Sequence, residues 1–241
     1  MKISTMKIVL SYLLLIFFVA GCDDKSGSNT LPPITSCLLA GVTEINGSVS
    51  TSTLYFYNDK EKLDSEITGG QKTKYIYDTK GNITSSSNAK DNFTYSYDSI
   101  FLTSSIQVRN GVNYRKVIYK YTNGQMTTME IYIYAGSAFI LESSTTYIYP
   151  PPPSRNYSNS ILTPVTGPVV ATAYVYDNKI NPLQVLKFPT TQPDNNIIST
   201  IVTSGSSNTT TLFNYEYNEI NYPLSMAVSA VTKMTYTYNC K

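Results

Sequence analysis

Tyrosine recurs in pairs along this chain, and the pairs keep a regular interval. Tyr55-Phe56-Tyr57-Asn58, Tyr75-Ile76-Tyr77-Asp78 and Tyr95-Ser96-Tyr97-Asp98 follow one another every 20 residues. Tyr119-Lys120-Tyr121-Thr122, Tyr174-Val175-Tyr176-Asp177 and Tyr215-Glu216-Tyr217-Asn218 continue the pattern at looser spacing. Tyr132-Ile133-Tyr134, Tyr147-Ile148-Tyr149 and Tyr236-Thr237-Tyr238 carry its aromatic half alone. Side chains at i and i+2 share one face of a β-strand, so each pair marks a strand with an aromatic face. The Asp or Asn that follows can bond its own downstream backbone and open a turn, where Gly81 or Gly124 supplies positive φ. An interval of this size fits strand, turn, strand, turn, and a fixed interval is an architectural signal. Beyond the first 21 residues no apolar run recurs at i, i+3, i+4, so almost no helix is expected. The pattern predicts an all-β fold, an antiparallel meander of repeated hairpins forming a twisted sheet or a half-open barrel.

Two stretches break the rhythm. Pro150-Pro151-Pro152-Pro153 cannot donate to a ladder, so pairing should stop at Tyr149 and residues 150 to about 168 should form a loop. A weaker break spans Pro189 to Asn196.

The chain's first residues have another character. Lys2 and Lys7 precede the apolar stretch Ile8 to Val19, 12 residues long, and small Ala20-Gly21 precede Cys22. A helix of that length spans only about 18 Å, short of a hydrocarbon core of about 30 Å. The arrangement resembles the lipobox of bacterial lipoproteins, which implies a signal peptide over 1–21, removal of that leader, and acyl chains such as palmitate on Cys22. A retained anchor with Cys22 as an ordinary thiol is the other reading. Residues 22–36 are polar, carry Gly27 and Pro32-Pro33, and are expected to be a flexible tether. Residues 37–241 are expected to form a single all-β repeat domain.

Cys37 and Cys240 remain as the other two of 3 cysteines. An oxidising compartment outside the cytoplasm makes them a disulfide candidate that would tie the domain's ends together, with two free thiols as the alternative.

The string from Tyr75 to Asn82, Tyr-x-Tyr-Asp-x-x-Gly-Asn, resembles the tyrosine-aspartate repeat of Rhs-type wall and toxin-shell proteins. Three further strings, Tyr174 to Leu183, Tyr215 to Pro223 and Tyr236 to Cys240, resemble uncharacterised lipoproteins of Bacteroidetes-type bacteria. That resemblance implies an all-β sheet on an outer-membrane lipoprotein, facing the periplasm or the cell surface, and no established reaction.

Chemistry is more readily excluded than assigned. Histidine is absent, which removes Ser-His-Asp and Cys-His catalysis and His-based zinc sites. No glycine-rich phosphate loop opens a helix, so no cofactor is expected. The formal net charge of +2, with Lys and Arg scattered singly, argues against a nucleic-acid partner. Glu66, Glu130, Glu142, Glu216 and Glu219 are available for carboxylate chemistry, and a solvated strand face is the expected place of each. Asp78, Asp98 and Asp177 read as turn initiators rather than calcium ligands, and the tyrosine stripe reads as cross-strand packing rather than a sugar platform. The expected function is a lipid-anchored cell-envelope protein, a non-catalytic binding or structural module with the membrane as partner and a glycan or envelope protein as ligand. A carboxylate-dependent glycan hydrolase is the alternative.

Overall fold

The computed structural model describes residues 37–151, 154–186 and 193–240, so the leader, Cys22 and the tether lie outside the described residues. In chain order the strands are β1 (Cys37–Asn46), β2 (Val49–Tyr57), β3 (Leu63–Thr68), β4 (Gln71–Tyr77), β5 (Ile83–Ser87), β6 (Asp91–Asp98), β7 (Phe101–Arg109), β8 (Val112–Thr122) and β9 (Gln125–Tyr134). They continue with β10 (Phe139–Ile148), β11 (Asn159–Pro164), β12 (Val170–Ile180), β13 (Asn195–Ser204), β14 (Ser207–Leu212), β15 (Asn214–Tyr217), β16 (Pro223–Ser229) and β17 (Thr232–Cys240). The helical element among the described residues is a single 3-10 turn, Pro182–Leu186.

Each strand pairs antiparallel with its sequence neighbour, as a meander requires, and β17 then pairs with β1 from Cys37↔Cys240 to Asn46↔Thr232. One hand-over interrupts the ring. β14 pairs with β13 and β15 with β16, with Phe213 between them. Phe213 still donates its N–H to Ile198 at 2.9 Å. The 17 strands thus form one sheet that curls into a nearly closed barrel, and pairing β1 with β17 removes the exposed edges that an open meander would carry.

A repeated irregularity accompanies the curl. Where the second tyrosine of a pair meets the next strand the register slips by one residue, at Phe56/Tyr57, Ile76/Tyr77, Ser96/Tyr97, Lys120/Tyr121 and Glu216/Tyr217. The extra residues are Asp64, Thr84, Thr103, Thr127 and Leu224. Such bulges bend a strand and increase its twist. The three threonines bond back across the gap, to the carbonyls of Ile76, Ser96 and Lys120 at 3.1–3.3 Å. Just before each bulge, Leu63, Ile83, Leu102, Met126 or Pro223 sits opposite the second tyrosine and is fully or almost fully buried.

The even strands β2 to β12, together with β15 and β17, carry their tyrosines toward one end of the barrel, here the tyrosine end. The turns there form as expected. Asn58, Asp78 and Asn218 each accept the backbone N–H four residues on, from Lys62, Asn82 and Tyr222, at 2.8–3.1 Å. The left-handed position falls on Glu61, Gly81 and Asn221. These bonds, first that from the Asn82 backbone, hold the Asp78 carboxyl below the usual range. Gly81→Ala should lower stability by about 1–2 kcal/mol, because φ is 92° there and a Cβ disfavours that region. The new Cβ would also meet Lys62 Nζ, but that flexible amine can swing aside. Thermal melting of the variant checks this.

Two expectations need correction, and one tyrosine pair is placed only by the structure. The loop after Tyr149 is shorter than the range 150–168, because β11 forms within it, pairing Ser160 with Tyr147 and Thr172. The Pro189 break is narrowed at its end, since β13 starts at Asn195. Tyr132-Ile133-Tyr134 has the opposite sense from the other pairs. It lies on β9, whose inward residues are Met129 and Ile131, so Tyr132 and Tyr134 face outward and Tyr132 donates to Glu130 at 3.0 Å.

Candidate functional site

The inner face at the tyrosine end is built from the repeats. Leu102, Tyr119, Met126, Met129, Tyr147 and Tyr157 form one cluster, Leu63, Tyr75 and Ile83 another, and Leu39, Leu186, Phe213, Met226 and Tyr236 a third. Tyr95 joins the first two, while Tyr55 and Tyr57 join the last two, so the layer is continuous. Tyr157, from the loop before β11, meets Tyr147, Tyr149, Tyr174 and Tyr176 at 4.9–6.3 Å between ring centroids. The 3-10 turn packs Leu183 and Leu186 against Leu39 of β1, whose ladder position lies well round the ring from β12, and so crosses the inside of the barrel. The tyrosine stripe is therefore packing, as the sequence predicted.

Hydroxyls are matched in several units, though those of Tyr97 and Tyr149 are buried without a hydrogen-bond partner among the described residues. In four pairs the second tyrosine donates to a neighbouring carbonyl: Tyr57 to Leu39, Tyr77 to Leu63, Tyr176 to Tyr157 and Tyr238 to Pro223, at 2.7–2.8 Å. The first tyrosine meets a serine diagonally across the preceding strand: Tyr95 with Ser86, Tyr119 with Ser105, Tyr174 with Ser160. Burial raises the phenols, Tyr77, Tyr95 and Tyr149 each to about 12.

Asp177 departs from the expected turn-opening role. Besides accepting the Lys179 N–H at 2.9 Å, it accepts the Asn196 backbone N–H at 3.0 Å, the Asn196 amide at 3.1 Å and the Tyr217 hydroxyl. It thus ties β12, β13 and β15 together beside the hand-over at Phe213. Among the described residues no group of three His, Cys, Asp or Glu could hold a metal ion.

The opposite end is a mouth. Inward positions there, such as Thr51 and Gln71, are exposed. One wall carries a polar network in which Asp91 accepts from Gln107 at 2.7 Å and Arg109 at 2.8 Å, and the Arg109 guanidinium lies 4.0 Å from the Tyr114 ring centroid.

The candidate carboxylates do not converge. Glu130 pairs with Lys120 outside the barrel, Glu142 lies 3.7 Å from Arg115, Glu216 accepts from Ser225 at 2.7 Å, and Glu219 sits in an exposed turn. Glu66 overturns its expected place on a solvated strand face. It is directly opposite Tyr55 on the inner face, below the mouth. Glu44 is also inward, but it sits level with Thr51 and Glu66 with Tyr55. That offset is about 13 Å along β2, with two inter-strand spacings across. Paired glycosidase carboxylates stand about 5–9.5 Å apart.

Burial pushes the Glu66 carboxyl up, partly offset by a hydrogen bond with Tyr75. Its folded form therefore holds a proton more tightly than the unfolded chain, and the associated stability is complete below the ordinary carboxylate value of about 4 and lost as pH rises through the raised one. Glu66→Gln, which mimics the protonated form, should raise the melting temperature by a few degrees at pH 7 and leave it unchanged in acid. Melts of both proteins across that pH window check this.

Cys37 and Cys240 are joined by a disulfide where β1 and β17 pair directly, closing a sequence separation of 203. No family model matches the chain, and no curated protein matches it. Solved structures share its fold. A porin-like protein from Bacteroides uniformis superposes with a TM-score of 0.61 at 15% identity, over 86% of this chain and 98% of that one. A porin-like protein from Bacteroides vulgatus does so with a TM-score of 0.63 at 12% identity, over 85% and 99%.

Proposed function

We propose that this protein is a non-catalytic, lipid-anchored component of the cell envelope, standing in water and using the interior of its barrel mouth to bind a ligand. The supporting observation is the charge on the outer face, where lysines and a glutamate stand among exposed apolar residues such as Leu54, Phe56, Ile76, Val175 and Ile201. A barrel that crosses a bilayer needs an outward apolar band about 25 Å tall, flanked by aromatic girdles. Here most of the tyrosine pairs point inward. Outward positions in the middle of strands include Lys74, Lys116, Lys120 and Glu130, among Ser85, Ser87, Thr94, Ser96 and Thr128. A lysine at the bilayer midplane costs about 2–4 kcal/mol. The porin-like likeness thus supports an envelope barrel, while the outer residues support a peripheral one.

The anchor would be Cys22. A flexible chain as long as the stretch 23–36 reaches about 20 Å root-mean-square. β1 leaves from the tyrosine end, so that end would lie near the membrane and the mouth would open away from it.

Detergent phase partition of the full chain and of Cys22→Ala tests this reading. The wild type should enter the detergent phase with acyl chains on Cys22 by mass spectrometry, and Cys22→Ala should move to the aqueous phase still folded. A Cys22→Ala protein that stays with detergent although mass spectrometry shows its leader removed would mean that the barrel itself crosses the membrane.

A further inference from the structure

We propose that Glu66, with the rings of Tyr55 and Tyr75, forms a site for an organic ammonium group inside the barrel mouth. The first argument comes from comparing units. Seven inward first tyrosines have one residue diagonally before them on the preceding strand: Val42 for Tyr55, Glu66 for Tyr75, Ser86 for Tyr95, Ser105 for Tyr119, Met129 for Tyr147, Ser160 for Tyr174 and Met226 for Tyr236. Serine, valine and methionine meet the structural need at this position. Only the β3 unit carries a charge there.

The second argument is the missing counter-ion. The ion pairs of the described residues join Arg109 to Asp91, Arg115 to Glu142, Lys120 to Glu130 and Arg155 to Asp194. None reaches Glu66, and the groups that act on its carboxyl are its own burial and the Tyr75 hydroxyl. A desolvated carboxylate without a cation is unfavourable, and either a proton or a cationic ligand relieves it.

The third argument is the surroundings. Tyr55, Tyr75 and Tyr95 all feel the Glu66 charge. Tyrosine faces attract cations, and a carboxylate framed by aromatic rings is a recurrent solution for ammonium groups. A hard metal ion would want six or more oxygens, which the site does not offer. Access runs from the mouth past Thr51, Gln71, Thr53 and Thr73 on the flanking strands.

This inference rests on the reading of the barrel as a binding module, but its test is independent of the anchor. Calorimetry on the purified full chain at pH 7.5 would compare choline and a linear alkyl diamine with 3,3-dimethylbutan-1-ol, the uncharged isostere of choline. At least one cation should bind about tenfold or more tightly than the isostere. Glu66→Gln should abolish that preference while melting at or above the wild-type temperature, and Glu44→Gln should retain it. Which cation wins separates a quaternary from a primary ammonium ligand. Equal binding of cations and isostere, or an undiminished preference in Glu66→Gln, would overturn the proposal and leave the phase-partition result standing.

Discussion

Titrating the protein from pH 9 to pH 11.5 is expected to unfold it in one cooperative step, well before a tyrosine-poor barrel would yield. Tyr75, Tyr119, Tyr147, Tyr157 and Tyr236 are each less than one tenth exposed, and burial is the first cause of the upward shift of every one. Their folded forms keep the proton that the unfolded chain loses near pH 10. Stability from these groups is therefore full below about 10 and falls as pH rises above it. Each contributes a loss of about 1.4 kcal/mol per pH unit, so the five together remove about 7 kcal/mol by pH 11. That matches the entire stability of many domains, about 5–15 kcal/mol. The half-buried tyrosines of the other pairs add to the loss. Far-ultraviolet circular dichroism would follow the sheet, and absorbance of the phenolate would follow ionisation. The two transitions should coincide, because the buried phenols ionise only as the barrel opens. Phenolate absorbance that rises smoothly with the sheet intact would contradict the packing described for the inner face.

The second large effect concerns the bridge between the ends. Cys37 and Cys240 are separated by 203 positions, and a cross-link over a loop of that size is worth about 5 kcal/mol in the chain-entropy account. Without it the β1–β17 ladder alone must bring the ends of the meander together. Cys37→Ser with Cys240→Ser should lower the stability in urea by about 3–5 kcal/mol. With intact β1–β17 pairing the folded variant should keep its circular dichroism spectrum. A variant as stable as the wild type would mean that the unfolded chain already holds its ends close.

The strands were legible because their cause is local. Tyr75-Ile76-Tyr77 alternates inward and outward whatever its neighbours are, and Asp78 can reach the Asn82 backbone within its own turn. The same rule holds at Tyr132-Ile133-Tyr134, whose two rings share a face, but periodicity does not say which face. β9 runs from the tyrosine end toward the mouth, and the inward set on it begins with Met126. β11 was missed because the four prolines announce a break without saying how soon pairing resumes. Glu66 looked like any acidic residue on a two-sided strand, and its distinction emerges only beside Ser86, Ser105 and Ser160 at the matching positions. The bulges had a faint trace, since Asp64, Thr84, Thr103, Thr127 and Leu224 follow the second tyrosine at six or seven residues, but that trace carries meaning only once the register is known.

By itself, the amino-acid order determined the strand-and-turn grammar, the shared face of each tyrosine pair, the absence of histidine chemistry and the availability of two cysteines near the ends of the repeats. Those depend on side-chain periodicity and on bonds within a few residues. The tertiary structure alone decided that β17 meets β1, that bulges curl the sheet so the paired rings fill one end, and that the Glu66 carboxylate faces inward beneath the mouth. These depend on contacts between residues as far apart as Cys37 and Cys240, and burial belongs to the closed surface rather than to any segment of it.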